Sequence, residues 1–235
     1  MFCLFNGKPL PNGVHLTEFN ISTPQVQRRT IDIPDVRGLI RTGGKLGNRA
    51  VTLTYVMLAD SITERMELWG RLVEWCKSDG PAPLILPGMG DRFLTAECQT
   101  FPNDVIGQWD EEDIVFQCDL PEFQSVREKR ATLQGGTNAV RIGGNLTTPV
   151  TLTLTVPALS SPTFMVGGHA IEFGDLEAGR MIIDTERATV TLDGDDIAMN
   201  ASLDSDLRIF LDPGANTVIL PAGVTGTIAW RDRWL

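Results

Sequence analysis

The sequence predicts a mainly β protein in two domains with a single helix. Three observations lead there. Short runs with period-two alternation recur along nearly the whole chain, one stretch alone spaces its apolar residues by threes and fours, and turn-forming residues separate the rest. At 235 residues the chain is long for one small sandwich and comfortable for two domains. Its 42% hydrophobic and 21% charged residues are those of a globular chain, not a disordered one.

The elements follow in order. An apolar opening, Met1 to Phe5, runs into the turn residues Gly7 to Gly13. Arg28 to Arg49 carries six basic residues (Arg28, Arg29, Arg37, Arg41, Lys45 and Arg49) against Asp32 and Asp35, and its Gly, Pro and polar content reads as a long loop. Arg49 to Leu58 places Val51, Leu53, Tyr55 and Met57 on one face and Thr52 and Thr54 on the other, the pattern of a half-buried strand. Ser61 with Glu64 three residues on fits a capping box. Ile62, Met66, Trp69, Val73 and Cys76 then give an apolar stripe, widened by Leu72, so a helix over about 62–77 is predicted to pack that stripe on a sheet. Pro83–Leu86, Arg92–Phe101 and Asp113–Leu120 read as strands, with the acidic run Asp110 to Asp113 as a solvated turn.

Gln124 to Arg141 is polar, with Gly135-Gly136 in the middle, and reads as linking sequence; the domains are set at 1–125 and 142–235, joined by a connector over 126–141. The second half shows β-type runs over 149–156, 163–166, 169–173, 180–184, 188–192, 207–211, 217–220 and 226–230. Turns at Gly167-Gly168, Asp193-Gly194 and Asp212 to Asn216 fall between them. Strands at that spacing without helices mean an all-β sandwich.

Charge and motifs exclude more than they select. Twenty Lys and Arg against thirty Asp and Glu give a net charge of −10, the reverse of what a phosphate-neutralising nucleic-acid binder needs. No apolar run approaches the length of a membrane span, and the opening lacks the basic and small-residue features of a signal peptide. No hydrolase elbow, phosphate-binding loop, zinc-protease motif or dinucleotide fingerprint occurs. Cys3, Cys76, Cys98 and Cys118 are far apart and lack zinc-ligand spacing, so they read as small buried residues of a reducing compartment rather than a disulfide framework. His15 and His169 have no identifiable partners. Asp193, Asp195 and Asp196 surround Gly194 as a hairpin turn does. The aromatics of the second half, Phe164, Phe173, Phe210, Trp230 and Trp234, fall mostly on strands and read as core rather than sugar platforms. No catalytic residue, metal ligand or cofactor is assigned.

The order of motifs carries a resemblance. The loop Ile33-Pro34-Asp35-Val36-Arg37-Gly38 precedes a strand, then the helix with Trp69 and Leu72. Pro83-Leu84-Ile85-Leu86, Arg92 to Ala96, and Phe116-Gln117-Cys118-Asp119-Leu120-Pro121-Glu122-Phe123 follow. In the second half come Gly143-Gly144-Asn145, Ala178 to Thr185, Leu192-Asp193-Gly194, Phe210 to Asn216 and Ala229 to Trp234. This resembles the distal tail (Dit) protein family of long, non-contractile-tailed phages and their prophages, over nearly the whole chain. It departs where Asp35 stands in place of a loop glycine often found in the family, and it lacks the large insertions that carry sugar-binding modules in some members.

The resemblance implies a non-enzymatic hub in the virion. An N-terminal domain would form a hexameric ring between the tail tube protein and the tail-tip hub protein, and a C-terminal galectin-like β-sandwich would point outward to dock receptor-binding or accessory proteins. DNA would cross the lumen without specific binding, which suits an acidic chain. For ring closure, Arg28, Arg29, Arg37, Arg41, Lys45 and Arg49 are the candidate inter-subunit loop, their cations meeting acids of the next subunit. The competing readings are a tube or adaptor protein of the same machine, and a carbohydrate-binding β-sandwich or glycan hydrolase using a carboxylate pair.

Overall fold

Alternating apolar residues build the two large sheets of this protein, and the chain divides into two units, Met1–Phe123 and Gln124–Leu235. The computed structural model describes residues 3–24, 26–31, 40–101 and 111–235, with the backbone alone for 29–31 and 40–44. Both units are mainly β, and the one α-helix described lies in the first.

The first unit contains β1 (Leu4–Phe5), β2 (Lys8–Pro9), β3 (Val14–Ile21), β4 (Val26–Ile31), β5 (Ile40–Leu46), β6 (Arg49–Met57), α1 (Ile62–Cys76), β7 (Ala82–Ile85), β8 (Arg92–Thr100) and β9 (Glu112–Cys118). Its main sheet runs β2-β1-β7-β8-β9-β6-β3, while β4 and β5 pair only with each other. On β6 the period of two buries Val51, Leu53, Tyr55 and Met57 as expected. Phe5, Trp75 and Phe116 meet edge to face, with centroids 4.8 to 5.9 Å apart, and centre the core.

Helix α1 starts where the capping box placed it: the Glu64 amide donates to Ser61 Oγ at 3.2 Å, and the Asp60 amide to Glu64 Oε2 at 2.8 Å. Its buried face differs from the expected stripe. Leu68, Leu72, Trp75 and Cys76 face the core, whereas Ile62 and Met66 are exposed and Trp69 and Val73 half-buried. Both sets recur at helical spacing, so periodicity alone could not choose between them. The choice is made by Trp75, which packs on Phe5 and Phe116 and donates Nε1–H to the Lys8 carbonyl at 2.9 Å.

The acidic run is also different from a solvated turn. Glu112 and Asp113 lie on β9, where Glu112 accepts from Tyr55 Oη at 2.7 Å and pairs with Arg65 at 3.3 Å, and Asp113 accepts from Thr54 Oγ1 at 2.7 Å. Asp110 lies outside the described residues. Burial and the bond to Glu112 raise the Tyr55 phenol, which therefore stays protonated as a donor.

β10 (Phe123–Ser125) spans the boundary between the units. The second unit continues with β11 (Lys129–Ile142), β12 (Thr148–Pro149), β13 (Thr151–Val156), β14 (Thr163–Val166), β15 (His169–Glu172), β16 (Gly179–Asp184), β17 (Thr189–Leu192), β18 (Asp195–Asp196), β19 (Phe210–Leu211), β20 (Gly214–Trp230) and β21 (Arg233–Trp234). The expected connector is therefore a correction: most of 126–141 belongs to β11, paired with β20 along its length. Its outward residues are polar because it is an edge strand, while Leu133, Val140 and Ile142 point into the core. The two runs expected over 217–220 and 226–230 are likewise one strand, and the expected turn residues Gly214 to Asn216 are its beginning. Of the run expected over 207–211, only Phe210–Leu211 is strand.

Strand β20 joins the two layers of the sandwich. Its first half pairs with β14 and its second with β13, with β11 along the opposite edge throughout. The change of layer falls at a register shift by Gly136, where β20 passes through Pro221 to Gly223. A Cβ on Gly135 would lie 2.9 Å from the Pro221 carbonyl oxygen, so the two backbones meet where only glycine fits. The turn from β17 to β18 has positive φ at both Asp193 (51°) and Gly194 (98°), as a two-residue hairpin requires.

Candidate assembly surfaces

In the first unit the candidate surface is the β4–β5 ribbon. An isolated two-stranded hairpin is marginally stable in water unless something covers one face. Here the two strands run antiparallel from Val26↔Leu46 to Ile31↔Ile40 and join no other strand among the described residues. They carry Arg28, Arg29, Arg41 and Lys45 and no acid, in a chain of net charge −10. Arg28 and Lys45 are exposed, and the apolar Val26 (59%) and Leu46 (38%) at the paired ends are open as well.

The expectation of a long loop is thus corrected to a hairpin. Polar, glycine-rich strands without alternation give no period to read, which is why the sequence concealed it. Arg37 lies outside the described residues. Arg49 is separated from the set altogether: it shares the core-facing parity of β6, is buried, and lies 4.8 Å from the Phe123 ring centroid. Burial lowers its pKa, and its Nε is buried without a hydrogen-bond partner.

In the second unit the two ends of the domain clasp one another. The Asp232 carboxylate is buried and accepts from the Gly143 amide at 2.9 Å and Trp230 Nε1 at 3.0 Å, and it pairs with Lys129 Nζ at 2.5 Å. Burial alone would raise its pKa; the three donors outweigh that and hold it below the usual carboxylate range. Asn145 and Leu146 donate their amides to the Arg233 carbonyl at 3.0 and 3.2 Å. A Cβ on Gly143 would lie 2.3 Å from Asp232 Oδ2, and one on Gly144 2.0 Å from the Arg233 carbonyl oxygen, so the glycine pair is required. Both motifs, Gly143-Gly144-Asn145 and Ala229 to Trp234, are visible in the sequence, but nothing in their spacing says that they meet.

The other candidates separate. His15 and His169 are exposed on β3 and β15, in different units. Burial pushes the Cys3 and Cys118 thiols up to about 12, which leaves them protonated and unreactive, and all four cysteines are free. Phe164, Phe173 and Trp230 are core residues. A cavity of about 160 Å³ beside Trp230 is lined by Asp184, Glu186 and Arg233, but Arg233 and Glu186 already pair at 2.6 Å. Among the described residues no three His, Cys, Asp or Glu side chains converge as a metal site, and no helix is long and apolar enough to cross a membrane.

Residues 143–234, the span closed by the Asp232 clasp, match the family model of the siphovirus-type tail component, C-terminal domain. Those residues lie within the second unit. The whole chain is similar in fold to the Dit protein of phage SPP1, described as a paradigm of the hub adsorption apparatus in phages infecting Gram-positive bacteria. That similarity has a TM-score of 0.79 at 16% identity and covers 100% of this chain and 99% of the other. A chain of the phage P2 baseplate in its activated, Ca-bound conformation is similar with a TM-score of 0.50 at 9% identity, covering 98% and 97% of the two chains. No curated protein matches in sequence.

Proposed function

We propose that this chain is a distal tail protein, a structural hub of a phage tail that closes into a hexameric ring between the tail tube and the tail-tip proteins. The observation that carries the reading is full-length agreement in fold with the SPP1 Dit protein, together with the tail-component domain over 143–234. In this reading the first unit forms the ring. The β4–β5 ribbon, with Arg28, Arg29, Arg41 and Lys45, reaches an acidic surface of the neighbouring copy, and repeated heterologous contacts of this kind close a ring. The second unit serves as the docking platform for tip proteins. The protein works in the virion as a scaffold, and DNA passes the lumen without being held, because like charges discourage adhesion.

The test is solution mass by light scattering with negative-stain images of the same peak. A closed ring of six 25.7 kDa copies, alone or after addition of tube protein, is expected. Open filaments would transfer the assignment to a tube protein, and a chain that stays monomeric with tube protein present would overturn the hub reading.

A further inference from the structure

Two large apolar side chains of the second unit stand fully in solvent. Met199 is 96% exposed and Leu203 104%, whereas the other exposed large apolar residues of this unit range from 37% to 47%. Both lie in the loop between β18 and β19, which contains the short 3-10 turn Ala198–Asn200. The loop is pinned to β15 and the residues after it. Gly174 N–H donates to the Asn200 carbonyl at 3.2 Å, Phe173 bridges Ala201, Ser202 N–H donates to the Glu172 carbonyl at 2.8 Å, and Glu172 N–H donates to Ser205 Oγ at 2.8 Å. Bonds between the two residues and just after them fix their presentation, and a pre-ordered apolar pair loses little entropy when a partner covers it.

The surroundings say what kind of partner fits. From Ala188 to Leu207 the chain has five carboxylates (Asp193, Asp195, Asp196, Asp204 and Asp206), with Arg187 and Arg208 only at the two ends of that stretch. Ile197 and Asn200 of the loop also form one wall of a cavity of about 360 Å³, whose other walls include Asp175, Glu177, Asp193 and Asp195. Asp175 and Asp193 are engaged by Ser160 and by the Arg180 amide, but Glu177 and Asp195 are exposed. A second copy presenting the same face would meet acid with acid, which disfavours self-association. A sugar would want an aromatic platform, and the loop has none.

We infer that Met199 and Leu203 form a docking knob for a different tail protein, one that offers an apolar socket rimmed by arginine or lysine, with a basic side chain entering the acidic cavity beside the knob. This rests on the reading of the chain as a tail hub. It adds the face used and the chemistry of the partner.

The experiment uses tails purified from the source that makes this chain, with p-benzoylphenylalanine replacing Met199, irradiated and analysed by mass spectrometry. The expected product joins residue 199 to one peptide of another tail protein, with Arg or Lys beside apolar residues. Met199→Asp with Leu203→Asp, and separately Asp195→Lys with Asp204→Lys, should each lower that protein's occupancy on tails at least tenfold while the number of rings per tail stays constant. Crosslinks only to solvent, glycan, lipid or a second copy, a partner peptide without basic residues, or unchanged occupancy in either variant would overturn the docking knob alone. Absence of the chain from tails would overturn the hub reading and the knob with it.

Discussion

The β4–β5 hairpin and the long-range β11–β20 ladder share antiparallel pairing and a register shift beside glycine, yet one stands apart and the other holds a domain together. β4 has six residues and pairs with β5 alone. β11 and β20 have 14 and 17 residues, the far edge of β20 is taken by β14 at 218–219 and by β13 at 225–229, and Val218, Leu220, Val224, Ile228 and Trp230 of β20 lie in the core. Pairing alone therefore does not make a hairpin part of a fold. Burial does, and the described side chains of the ribbon, Val26, Gln27, Arg28, Lys45 and Leu46, are exposed.

Substitutions should separate the two strand pairs by size of effect. The largest belongs to Gly226→Val in β20, where a Cβ would lie 2.2 Å from the Thr153 carbonyl oxygen and 2.8 Å from Leu154 Cα. Backbone cannot yield as a side-chain tip would, so the second unit should lose roughly 3 kcal/mol. Hydrogen exchange should show lost protection along β13 and β20 with the first unit unchanged.

Next is Asp232→Asn, which removes the charge from the clasp that ties Lys129 at the start of β11 to the end of β20, at a cost of about 2 kcal/mol near neutrality. Asp232 titrates below the unfolded value of about 3.9, so its contribution is complete above that pH and is lost as pH falls through the lowered folded value. Urea unfolding at pH 7 and in strong acid should show the gap between wild type and variant closing in acid. A gap independent of pH would remove the carboxylate from the explanation.

The smallest effect on stability is expected in the ribbon. Arg28→Glu with Lys45→Glu should change unfolding by no more than about 0.5 kcal/mol, since both side chains are exposed. The same pair should weaken ring closure about tenfold and reduce its salt dependence, read by light scattering across ionic strength. A large loss of stability would mean that the ribbon is part of the fold after all.

What could be read in the sequence followed the same division. β6, β9, β14 and β16 alternate cleanly against a buried face, and their residues announced them. The N-terminus of α1 was equally plain, because Ser61 and Glu64 act through neighbours in the chain. Its core face was not, since Ile62-Met66 and Leu68-Leu72 have the same spacing and only the aromatic cluster from β1 and β9 decides. β11 hid as a linker because an edge strand shows polar residues outward. Arg49 adjoins the ribbon in sequence, but the parity of β6 sends it inward. The candidate surfaces suffered most. An assembly surface is defined by what remains uncovered, and that is settled only after every other residue has found its place.

The pairing of β11 with β20 also orders events in time. Lys129 meets Trp230, so about a hundred residues must be synthesised between the two halves of one ladder. At roughly 5–20 residues per second, that is a wait of about 5–20 s. Throughout it the edge of β11 lacks its partner, and the second unit cannot close before residue 230 has emerged. The first unit has a long-range pairing of its own, Leu4 with Ile85, but it is complete by Phe123, before β11 has been made. Newly made chains should therefore carry a finished first unit beside an open second one, and misassembly during synthesis should begin at β11.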